Sequence, residues 1–340
     1  MGLSLVGQSG GRPGSKAAVA TPTATPVATP SPTAPPAPPP GTPPPRVAVS
    51  VGPVPTCPPG STPDMPGPVA QARPGGAIAF DRQVGRLVAV TGFDIVETWT
   101  FDACRNTWTE MHPDREPSSF DWAQLVYDVD SDVTIGVSSG IVWAYDLEAN
   151  TWTQKGVAPV DATIFAYDPV SGRLVAARAA DRTELWNHDV ETDTWTPIHQ
   201  ANGSDGFGVF AYDASVDRII AYTRAQTWLF DIRTGTWSRS GVVTPEIIFD
   251  VAAPNIVYDE TAERTVVFGN GRLATYDATA DRWEILAEPG ESYEAYNNQM
   301  VCDPVNGRLV GFVWGTVVQG DVIAFDLKTR EWTVLLGPRE

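Results

Sequence analysis

AYDPVSGRLVA runs from Ala166 to Ala176, and VCDPVNGRLVG runs from Val301 to Gly311, in a chain of 340 residues. Both say nearly the same thing: an aromatic or Cys, an Asp, a short turn closing on Gly, then an aliphatic run. A β-rich phrase that returns more than a hundred residues later is the mark of a repeated structural unit.

Working outward, the same anchor, an aromatic or Cys followed by Asp, stands at Asp81, Asp128, Asp168, Asp213, Asp259 and Asp303. A second anchor, an aromatic or His before Asp, stands at Asp102, Asp146, Asp189, Asp231, Asp277 and Asp326. Six residues beyond each second anchor comes a Trp: Trp108, Trp152, Trp195, Trp237, Trp283 and Trp332. First anchors lie 40 to 47 residues apart, a period that belongs to propellers and similar arrays. Between anchors the chain reads as short β-branched and aromatic strands such as RLVAV, ETWTF and TVVFG, with no helical stretch.

The turns carry the same grammar. Four residues after the first anchors come Gly85, Asp132, Gly172, Asp217, Glu263 and Gly307. Four after the second come Asn106, Asn150, Asp193, Gly235, Asp281 and Arg330. Ten of these twelve are Gly, Asn or Asp, the residues that tolerate the left-handed backbone closing a bulged hairpin. The anchor Asp is expected to accept hydrogen bonds from turn N–H groups. Each repeat is therefore two hairpins, A–B and C–D, and six such meanders arranged radially make an all-β, six-bladed propeller of four-stranded antiparallel blades over residues 77–336.

The pattern W-x-[FY]-D-x5-W, preceded by a YD…GRLV hairpin, resembles the kelch repeat in a degenerate form, over about residues 77 to 336. Kelch blades carry a double glycine at the end of strand B. Here that place reads VTG, VSS, ARA, YTR, VFGNG and FVWG.

Before the propeller the composition changes. Of 31 prolines, 20 precede residue 69, and Thr21 to Pro45 contains no charge and no aromatic residue. Such a tract cannot bury enough apolar surface to offset its ordering entropy, so residues 1–45 are expected to form a disordered Thr/Pro spacer. Residues 46–76 are expected to connect it to the propeller in extended form. A Thr/Pro spacer commonly holds a module away from a membrane or wall, which suggests an extracytoplasmic or cell-surface location, with the cytoplasm as the alternative. Met1 to Lys16 lacks the apolar core of a signal peptide.

The net charge of −18 argues against nucleic acid, because phosphate binding needs clustered Lys and Arg. No window approaches the ~18 continuous apolar residues of a membrane span, so no membrane insertion by the propeller is expected. A monomer is expected. Three cysteines are expected to give one disulfide, Cys57–Cys104, pinning the pre-propeller segment onto blade one, with a buried free thiol at Cys302; the alternative is three free thiols in a reducing cytoplasm.

Function is less legible. Ten of the twelve tryptophans fall on periodic positions and read as blade-to-blade contacts; only Trp122 and Trp314 stand outside the repeat. The A–B and C–D turns share one face and are regular. The B–C and D–A loops of the opposite face vary, and variable loops on a rigid scaffold are where binding sits. The candidate ligand-binding residues are Trp122, Trp314, Phe207, Tyr293, Tyr296, Arg178 and Arg182. Asp121, Asp161, Asp205 and Asp250 recur just before successive inner strands, joined by Asn297, so calcium is a candidate ligand there, with loop capping as the plain alternative. No cofactor is otherwise expected. His112, His188 and His199 are too few for a copper centre, and no catalytic motif is present. The chain is thus expected to be a non-catalytic module binding a protein or glycan, the alternatives being a glycan-acting enzyme using loop carboxylates or an architectural surface protein.

Overall fold

In the computed structural model the described residues are 53–61, 76–91, 96–118, 124–158, 162–178, 184–200, 209–222, 226–245, 255–269, 272–286, 299–314 and 319–336. They form 24 strands in six four-stranded sheets, each sheet built from four consecutive strands.

Blade 1 holds β1 (Ala77–Asp81), β2 (Arg86–Thr91), β3 (Glu97–Asp102) and β4 (Thr107–Glu110). Blade 2 holds β5 (Leu125–Asp128), β6 (Val133–Ser138), β7 (Ile141–Asp146) and β8 (Thr151–Val157). Blade 3 holds β9 (Ala162–Asp168), β10 (Arg173–Arg178), β11 (Glu184–Asp189) and β12 (Thr194–Gln200). Blade 4 holds β13 (Phe210–Asp213), β14 (Arg218–Tyr222), β15 (Thr227–Asp231) and β16 (Thr236–Arg239). Blade 5 holds β17 (Asn255–Asp259), β18 (Arg264–Gly269), β19 (Arg272–Asp277) and β20 (Arg282–Ile285). Blade 6 holds β21 (Gln299–Asp303), β22 (Arg308–Trp314), β23 (Gln319–Asp326) and β24 (Glu331–Leu336). All pairs within a blade are antiparallel, and the first strand of each blade touches the first strand of the next, with β21 returning to β1. The ring closes without any strand exchanged between its ends.

All twelve turn positions named from the sequence adopt positive φ, between 50 and 72°. Glu263 (φ 53°) and Arg330 (φ 62°) do so despite carrying side chains that disfavour it, because the hairpin geometry leaves that residue no other conformation. Every anchor Asp accepts at least one turn N–H on Oδ1; Asp81 takes those of Gln83 and Val84, both at 3.0 Å. The aromatic or His before each second anchor pairs across the hairpin with the periodic Trp, ring centroids 4.4 to 5.1 Å apart. His188 fills that slot in blade 3: it stacks on Trp195, contacts Asp193 at 2.9 Å, and burial holds its pKa below the usual range.

The apolar core is six cores, one at each blade-to-blade interface, including the closing interface of blades 6 and 1. The Trp residues join neighbouring blades, as expected from their period. Trp152 Nε1 donates to Thr98 Oγ1 of blade 1, and Trp283 Nε1 to Thr227 Oγ1 of blade 4, each at 2.9 Å. A further regularity is an Arg that opens strand B. Arg173, Arg218 and Arg264 bind the second-anchor Asp of their own blades at 2.9 to 3.0 Å.

Cys57 and Cys104 form a disulfide with Cα atoms 5.4 Å apart, and Cys302 is a buried free thiol. Cys104 is half-buried.

Candidate functional site

Six inner strands around one axis leave a channel, and it forms a cavity of about 500 Å³. That volume lies within the range of small-molecule sites. The side chain before each first-anchor Asp lies on this wall: Phe80, Tyr127, Tyr167, Tyr212, Tyr258 and Cys302. The inner strands turn an edge to the axis, so consecutive residues from both strand faces reach the wall.

The tyrosine hydroxyls are not available to a ligand. Tyr127 donates to Asp132 Oδ1 at 2.6 Å and Tyr212 to Asp217 Oδ1 at 2.8 Å. Tyr167 accepts from the Asp130 N–H at 3.3 Å and also bonds the Asp128 carboxylate, both in blade 2. Tyr258 bonds Ser215 of blade 4. Burial pushes all four phenols above their ordinary pKa, Tyr258 to about 12, so they stay neutral. What faces the channel is ring carbon together with Val126, Val257 and Val301.

Polar groups stand at the two ends. At the A–B turn end Arg82 of blade 1 forms an ion pair with Glu260 of blade 5, bridging the mouth between two blades that are not neighbours. At the other end Gln124 and Asn255 line the opening. Asn255 is partly committed, accepting the Met300 N–H at 3.3 Å. Cys302 donates to Asp259 Oδ1 at 3.8 Å, and burial pushes its thiol well above the ordinary range, so it is no nucleophile. The first-anchor carboxylates are buried behind the wall, and Asp213 receives the Thr265 hydroxyl at 2.7 Å.

Of the binding residues expected from the sequence, Trp314 lies in β22 and Arg178 at the end of β10, with side chains outside the described set. Trp122, Phe207, Arg182, Tyr293 and Tyr296 lie outside the described residues, as do Asp121, Asp161, Asp205, Asp250 and Asn297 of the calcium expectation. The channel wall was missed by that reasoning, although its signal was present: it is the aromatic of the first anchor, taken there only as a repeat marker. No helix among the described residues is long and apolar enough to cross a membrane.

No protein-family model and no curated protein matches the chain. Two solved structures from Bacteroides thetaiotaomicron VPI-5482 share its fold. One is a structural genomics protein of unknown function, with a TM-score of 0.55 and 13% identity over 71% of this chain and 67% of its own. The other is described as an auxiliary nutrient binding protein, with a TM-score of 0.51 and 12% identity over 69% of this chain and 65% of its own.

Proposed function

We propose that this chain is a non-catalytic, kelch-like binding propeller working outside the cytoplasm, and that it takes a small ligand in its central channel from the B–C and D–A loop face. The channel carries this reading. An ion pair spans the turn end between blades 1 and 5, which favours entry of a ligand from the loop side.

The wall chemistry supports a ligand with an apolar body and polar ends. A hydroxyl buried against ring carbon and valine without a partner loses about 1–3 kcal/mol. A sugar presents several hydroxyls around its rim, and the engaged tyrosines would leave them unpaired. An aromatic or aliphatic body instead gains about 25 cal/mol for each Å² removed from water. The amides at one end and the Arg82–Glu260 pair at the other then suit polar termini. The neighbour described as an auxiliary nutrient binding protein agrees with a binding role at the level of fold. The Cys57–Cys104 disulfide supports an oxidising compartment.

Isothermal titration calorimetry tests the reading with two panels, one of indole, phenol and naphthol derivatives, the other of free hexoses and N-acetylhexosamines. The expectation is micromolar binding of members of the first panel, weakened tenfold or more by Val126→Phe with Val257→Phe, which narrow the channel. Binding of sugars alone, or binding insensitive to the narrowed channel, returns the ligand to the loops and refutes the channel reading. No binding from the first panel refutes the ligand class.

A further inference from the structure

A propeller must hold its first blade against its last. Where the chain ends share a blade, strand pairing does this; here blade 1 and blade 6 are each complete in themselves. Their seam depends on what lies across it, and the segment Pro53–Ser61 lies there. Val54 packs against the apolar cluster shared by the two blades. Pro55 and Thr56 line a hollow together with Gly85 and Cys104 of blade 1 and Val305 of blade 6. The disulfide fixes this segment to the β3–β4 turn. Cys57 Sγ also sits 3.9 Å from Asn306 Oδ1 of blade 6, an approach and not a hydrogen bond, since the sulfur is bonded to Cys104.

The turn that carries Cys104 is gripped from blade 6 as well. Asn306 Nδ2 donates to the Ala103 carbonyl at 2.9 Å, and Arg308 reaches the same carbonyl at 3.2 Å and Asn106 Oδ1 at 3.0 Å. Blades 3, 4 and 5 turn the equivalent Arg onto their own second-anchor Asp. Arg308 instead holds the first-anchor Asp303 through Nε at 2.8 Å and extends Nη2 across the seam. Covalent, apolar and polar contacts therefore converge on one turn.

We propose that Pro53–Ser61, with its disulfide, is the fastener of the ring, standing in for the exchanged strand that this fold lacks. The claim is specific, because a disulfide closing 47 residues of chain could stabilise merely by restricting the unfolded state. That effect is global, raising the opening free energy of every blade alike. A fastener acts locally, so its loss opens the seam while the far side of the ring stays closed.

Hydrogen-exchange mass spectrometry on the full chain separates the two. The folded wild type treated with a phosphine reductant, and the Cys57→Ser with Cys104→Ser variant, should exchange at least tenfold faster in β1, β2, β21 and β22. Rates in β10, β11, β14 and β15 should be unchanged. Val54→Ser with the disulfide intact should accelerate the same four seam strands to a smaller degree. Exchange that rises equally in all six blades would leave only the unfolded-state effect and overturn the proposal, as would unchanged rates at the seam in the reduced wild type.

Discussion

Asp81 sits in the first A–B turn, where its carboxylate accepts two backbone N–H bonds that favour the charged form. Burial outweighs them and raises its pKa from 3.8 to about 6. The sign follows from proton counting. Between about pH 4 and pH 6 the folded protein binds more protons at this site than the unfolded chain. The stability the site contributes is complete below the unfolded value and is lost as pH rises through the folded one. The loss is on the order of 3 kcal/mol by the usual conversion. Asp81→Asn keeps an acceptor on Oδ1 and removes the charge. The difference in melting temperature between the variant and wild type should therefore grow in the variant's favour from pH 4 to pH 6.5. Parallel melting curves across that range would contradict it.

At the level of the hairpin, each blade is closed by a Trp on its last strand, and that Trp reaches out of its own blade. The bond from Trp152 Nε1 to Thr98 Oγ1 is buried and joins β8 to β3. Trp152→Phe keeps the ring against Tyr145 but leaves the Thr98 hydroxyl without its donor, which should destabilise by about 1–3 kcal/mol. Thr98→Val removes the acceptor as well. A double-mutant cycle should give a coupling of about 1 kcal/mol, read by urea unfolding. Zero coupling would reduce the Trp to apolar filling. The regularity of these pairs explains how much was legible: Asp, turn residue, aromatic and Trp all lie within one hairpin, so their spacing in the chain is their spacing in space.

The full chain carries a net charge of −18, and many of its carboxylates are held in the turns of the ring. Self-repulsion between exposed acids acts over a Debye length, about 30 Å at 10 mM salt and about 10 Å at 100 mM. The Arg–Asp pairs that open strand B in blades 3, 4 and 5 are short and partly shielded, so added salt weakens them less. Calorimetry between those two concentrations should therefore find a rising melting temperature. A falling one would mean that the Arg–Asp pairs outweigh the long-range repulsion.

The sequence by itself determined what a hairpin determines: twelve left-handed turn positions, twelve Asp anchors, four strands to a repeat and six repeats. These need only neighbours within about fifty residues, and alternation along a strand plus the demands of a tight turn specify them. Placing one Cys in a turn and the other just before the first blade made a Cys57–Cys104 bridge one of two readings, and the structure decided for it. Ring closure decided the rest. Arg82 meets Glu260 178 residues away, and Tyr167 and Tyr258 bond the turns of the preceding blades. Arg308 holds Asp303 of its own blade through Nε and reaches Ala103 across the seam through Nη2. Nothing in the spacing within a repeat encodes those contacts, because they depend on which residues of separate repeats are brought face to face once the last blade meets the first.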